Sequence, residues 1–77
     1  MDIVIHYDVA SEDDALALAR RLFAHFDEAI DALTLVLVPF DEFDLLVDGR
    51  LIHSRRISGR APRLADVLAT TADASRA

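Results

Sequence analysis

The chain has 77 residues, with fourteen acidic against eight basic side chains, a net charge of -6, and neither cysteine nor lysine. Without a thiol it can hold no disulfide, no cysteine-ligated metal and no cysteine redox couple. Its acidity also opposes nucleic-acid binding, which draws its affinity from neutralised phosphates. Asp2 to Asp8 alternates, with Ile3, Ile5 and Tyr7 on one side and Val4 and His6 on the other, and predicts a strand. No cleavable leader is read before it. Ser11 offers an N-cap hydroxyl three residues before Asp14, and Glu12, Asp13 and Asp14 suit the positive end of a helix dipole. The helix so begun carries a ridge of Leu18, Leu22 and Phe26 beside a second of Leu16, Ala19, Phe23 and Ile30, and should end near Ala29.

Leu33 to Val38 reads as a second strand, apolar on both faces and therefore central or semi-buried. It lies in the longest apolar run, which is far too short to span a bilayer. Pro39 stops it. The strongest local signal follows in FDLLVDGRLIHS, Phe43 to Ser54, where Asp48-Gly49 between apolar runs predicts a β-hairpin with a type I′ turn. A two-residue loop places Val47 opposite Arg50, Leu45 opposite Ile52, Asp44 opposite His53 and Phe43 opposite Ser54. Phe43, Leu45, Val47 and Ile52 then share the core face, and Asp44, Leu46, Leu51 and His53 the other. Arg55 to Arg60 reads as a basic loop. Pro62 suits the first turn of a last helix carrying Leu64, Val67, Leu68 and Thr71, with residues 72–77 fraying.

The order β-α-β-β-β-α implies one α/β domain over residues 1–77. It predicts a two-layer sandwich with a mixed four-stranded sheet and both helices on one face. A cytoplasmic location is expected. The other sheet face is left open, and Val4, Val36, Val38, Leu46 and Leu51 form an apolar patch on it that suits a protein partner or a homodimer.

Element order and residues together resemble the selenoprotein W family, or Rdx family, of small thioredoxin-like proteins. FDLLVDGRLIHSRR, Phe43 to Arg56, is similar to that family's hairpin followed by a serine and a basic pair. Gly59 and Pro62 match its glycine and proline, with Ala61 in place of an aromatic, and IVIHYD is similar to its first strand. The resemblance implies a thioredoxin-like fold and thiol-disulfide chemistry at a Cys-x-x-Cys motif directly after the tyrosine. Those positions are Asp8 and Ser11 here, so the activity does not carry over. The expectation is a redox-inactive interaction domain, without enzyme activity or cofactor.

Two further constellations are read from the residues. Asp8 and Ser11, at a strand end and a helix start, are either a relic anion site or simply a turn residue and a cap. His6, Asp44 and His53 would share the open face and could ligate zinc or nickel, although a cross-strand Asp44-His53 pair explains two of the three. His25 reads as a surface residue. Arg50, Arg55, Arg56, Arg60 and Arg63 read as a surface balanced by Asp41, Glu42, Asp44 and Asp48, since an RNA patch would also want aromatic stacking partners.

Overall fold

In chain order the protein forms β1 (Asp2–Tyr7), a 3-10 turn (Val9–Ser11), α1 (Glu12–Phe26), a second 3-10 turn (Asp27–Ala29), β2 (Ala32–Leu37), β3 (Phe43–Val47), β4 (Arg50–Ser54), α2 (Arg55–Ser58) and α3 (Leu64–Arg76). The computed structural model describes residues 1–39 and 41–76, and side chains as far as residue 70. α3 runs to Arg76, into the stretch 72–77 expected to fray, of which residue 77 and the side chains lie outside the described residues, as does the side chain of Thr71. Strand order is β2-β1-β3-β4, with β1 and β2 parallel and the other pairs antiparallel. The mixed sheet is the expected one, but β2 stands at its edge rather than at its centre, and Leu37 is 57% exposed there.

The core is built from alternate residues of the two inner strands, Ile3 and Ile5 of β1 and Phe43, Leu45 and Val47 of β3. Ala15, Leu18, Ala19 and Leu22 of α1 and Val67 of α3 close over them, so both long helices lie on one sheet face. The stripe on α1 is narrower than the sequence suggests. At about 100° per residue Leu16 and Phe23 fall roughly 90–110° from the centre of the buried arc. Both are accordingly exposed, beside β2.

The Asp48-Gly49 turn forms as predicted, with φ of 51° and 80°. Val47 lies opposite Arg50 and Leu46 opposite Leu51, but the register then slips, setting Leu45 against His53 and Asp44 against Ser54. Ile52 is the extra residue of a β-bulge. The expected pairs of Leu45 with Ile52, Asp44 with His53 and Phe43 with Ser54 are therefore corrected. A bulge re-aims the side chains beside it. Ile52 still packs against the core, and His53 turns from the open face to the helix-covered one, where it is 9% exposed.

The predicted basic loop contains a helical turn, α2, ended by Gly59 at φ 81° with its N–H on the Arg55 carbonyl at 2.8 Å. Nothing lies within 4 Å of the position a Cβ would take at Gly59, so only the backbone resists a side chain. Gly59→Ala is expected to cost about 1 kcal/mol, or roughly 4–8 °C in Tm for a domain this small. An unchanged thermal midpoint would refute this. Pro62 precedes α3 rather than opening it, and the Arg63 N–H caps the helix by donating to Asp66 Oδ2 at 2.8 Å.

Candidate functional site

β1 delivers the chain to Asp8 at the foot of α1. The Ser11 N–H donates both to the Asp8 carbonyl at 3.0 Å and to Asp8 Oδ1 at 2.9 Å, so Asp8 is the capping residue. Ser11 makes no side-chain cap, contrary to the sequence expectation. Its hydroxyl is buried and accepts from Arg55 Nη1 at 2.8 Å. Arg55 Nη2 reaches Asp8 Oδ2 at 3.3 Å and also pairs with Asp41. The same guanidinium lies 5.8 Å from the centroid of the Phe43 ring, within cation–π range. The Asp8 carboxyl is held below the usual carboxylate range, first by its hydrogen bond with the Ser11 side chain and further by the Ser11 N–H and the Arg55 charge.

This arrangement bears on the two readings of Asp8 and Ser11. A helix start attracts an anion through its free N–H groups. Here Asp8 supplies that anion from the chain itself, and Arg55 neutralises it. Beside the turn Val9, Ala10, Leu37, Val38 and Pro39 line a shallow hollow together with Asp8 and Asp41.

A second polar cluster surrounds His53. Its Nε2 lies 3.0 Å from the Arg60 carbonyl and 2.8 Å from Ser58 Oγ, and its Nδ1 3.6 Å from Asp66 Oδ2. Ser58, His53 and Asp66 thus follow one another as in a hydrolase triad, but their bonding argues against that role. The Ser58 hydroxyl lies 2.9 Å from the Ser54 carbonyl and 3.1 Å from the Arg60 carbonyl, so backbone acceptors compete with His53 Nε2 for its proton. Asp66 is committed to Arg60, whose Nη1 and Nη2 approach at 3.1 and 2.7 Å. These bonds hold the Asp66 carboxyl below its usual range, helped by the Arg63 N–H and the nearby His53. The cluster ties β4, α2 and α3 together.

The candidate metal set His6, Asp44 and His53 is divided by the bulge. His6 and Asp44 are opposed on β1 and β3, with Nδ1 to Oδ2 at 3.9 Å, while His53 faces the helices. Glu42 takes the third place, because on an extended chain it shares a face with Asp44. The ligand atoms of His6, Glu42 and Asp44 all lie within 4.8 Å of one another. Glu42 is missed from sequence although its two-residue spacing from Asp44 signals it. Of the open-face patch, Val4, Val36, Val38 and Leu46 are half-buried and Leu51 is exposed. Arg55 and Arg56 pair with Asp41 and Glu42 as the charge pattern predicts, the latter pair at 4.0 Å.

The backbone that carries these sites matches solved structures closely. Selenoprotein W-related protein from Vibrio cholerae superposes with a TM-score of 0.79 at 22% identity, over 86% of this chain and 85% of that one. The chain has a selenoprotein W-like fold. A protein of Bordetella parapertussis matches with a TM-score of 0.80 at 20% identity over 94% of each chain. No family model and no curated protein matches the sequence. The selenoprotein W-like, thioredoxin-like architecture expected from the hairpin and from IVIHYD is therefore present, and Asp8 and Ser11 stand at its strand-to-helix turn. No helix among the described residues is long and apolar enough to cross a membrane.

Proposed function

We propose that this chain is a redox-inactive domain of selenoprotein W-like fold that works by protein contact, its partner being a second copy of itself docked across β2. The carrying observation is the character of that edge. β2 has no charged residue and no proline, and its outer hydrogen-bonding row faces away from β1. Edge strands are ordinarily blunted by charge, proline or bulges. β4, at the other edge, has both Arg50 and the bulge. Beside β2 the exposed Leu16 and Phe23 of α1 line a groove with Leu33 and Leu35.

A second copy suits this edge because the edge complements itself. Antiparallel pairing of two β2 strands continues the sheet and lays the two α1 helices antiparallel on one face. Asp13 borders one end of the groove and Arg20 and Arg21 the other, so the acidic end of each helix approaches the basic end of its mate. The open face, with Val4, Val36, Val38, Leu46 and Leu51, is the competing surface. Light scattering across concentration and salt tests the reading with Phe23→Glu, Leu37→Lys and Leu46→Asp. A dimer lost in the first two variants and kept in Leu46→Asp is expected. A monomeric native chain, or a dimer broken only by Leu46→Asp, overturns it.

A further inference from the structure

We propose that His6, Glu42 and Asp44 form a divalent-cation site of the zinc class on the open sheet face. Three side chains from two paired strands converge there. His6 and Asp44 are cross-strand partners, and Glu42 lies two residues before Asp44. Strand positions hold ligands more rigidly than loops do. One imidazole and two carboxylates are a donor set for zinc, cobalt or manganese, with a coordination position left for water. The two carboxylates also balance the charge of a divalent ion.

A second, independent observation is the state of Asp44. Its side chain is 15% exposed, and Oδ1 is buried without a hydrogen-bond partner among the described residues. A buried carboxylate oxygen in that condition is costly and rare, because native structures satisfy nearly all such groups. Its other oxygen stands 3.9 Å from His6 Nδ1, beyond hydrogen-bond length. A cation between them would satisfy both. Arg56, 4.0 Å from Glu42, carries a positive charge at the rim, and that long contact would yield to an entering ion. His53 takes no part, and the Asp8–Arg55 cluster has its carboxylate already paired. Among the described residues this is the group of three ligating side chains that converges.

The full chain is titrated with Zn²⁺ by calorimetry and with Co²⁺ by visible absorption, with Mg²⁺ as control. One equivalent of Zn²⁺ bound, a raised Tm, and a Co²⁺ d–d spectrum with nitrogen and oxygen ligation are expected. His6→Ala and Asp44→Asn should abolish the Co²⁺ spectrum. Glu42→Gln, at a half-exposed position where folding tolerates the change, should weaken binding at least about tenfold, since even partners outside a coordination sphere are worth that much. Circular dichroism checks the fold of each variant. A native chain that binds neither ion overturns the proposal. So does binding that survives His6→Ala and Glu42→Gln unchanged, which would assign the ion to His25 or to the acidic start of α1.

Discussion

The double variant D8C/S11C is expected to close a disulfide within the chain and to acquire the thiol-disulfide exchange for which the native sequence has no thiol. The turn already has the required geometry. The Ser11 N–H meets the Asp8 carbonyl at 3.0 Å, the bond of a four-residue turn, and such turns bring their end Cα atoms within about 7 Å, overlapping the roughly 4.4–6.8 Å that a disulfide spans. The position is also electrostatically prepared. Arg55 Nη1 sits 2.8 Å from Ser11 Oγ, at the N-terminal end of α1. A thiol beside a guanidinium and a helix start ionises more readily, at a pKa of about 3.5–7.5 instead of about 8.5, although Glu12, Asp13 and Asp14 oppose part of that shift. Thiol counts before and after mild oxidation, with thiolate absorbance followed against pH, give the reading. Removing Arg55 from the double variant should raise the lower thiol pKa. Two thiols that stay free in a natively folded variant would show that Asp8 and Ser11 are not placed as a dithiol would be.

That prediction rests on a part of the site only half legible in the sequence. Asp8 and Ser11 are locatable because strand alternation ends at Tyr7 and helical spacing begins after Ser11. Their roles are not, because the group that fixes them, Arg55, is 44 residues from Ser11 in the chain. Local signals assign the cap to Ser11 by residue type, whereas the tertiary contact takes its hydroxyl for Arg55 and leaves capping to Asp8. The hairpin shows the same division. Asp48-Gly49 specifies its turn through positive φ, so turn and strands are readable. The bulge at Ile52 is not, since no residue there demands one. A slip of one position reverses the face of everything beyond it, which is why His53 leaves the face that His6 and Asp44 share. The edge position of β2 is likewise hidden, because its apolar residues on both faces read as burial, whereas Leu33, Leu35 and Val36 are only half-buried and Leu37 is exposed.

His53 gains a partner through that slip, Asp66, and removal of that side chain should cost the fold a large share of its stability. Asp66 accepts from Arg60 Nη2 at 2.7 Å, from Arg60 Nη1 at 3.1 Å and from the Arg63 N–H at 2.8 Å, and it is only 13% exposed. Hydrogen bonds to a charged group contribute about 1.5–3 kcal/mol each. Arg60 is 41% exposed, so solvent screening discounts its share. Asp66→Ala is expected to lose about 2–3 kcal/mol from a total of roughly 4–12 kcal/mol for a chain of this length, measured by urea unfolding. The pH dependence identifies the source. A carboxyl depressed in the folded state stabilises fully above its unfolded pKa of about 3.9 and loses that contribution as pH falls through the folded value. Asp66→Asn should therefore trail the native chain by a constant amount at neutral pH, with the gap narrowing below about pH 4. Asp8, depressed in the same direction, remains in both proteins and cancels in the comparison. A gap that stays constant into acid would mean that packing around His53 and Val67, and not the carboxylate charge, holds α3 to the sheet.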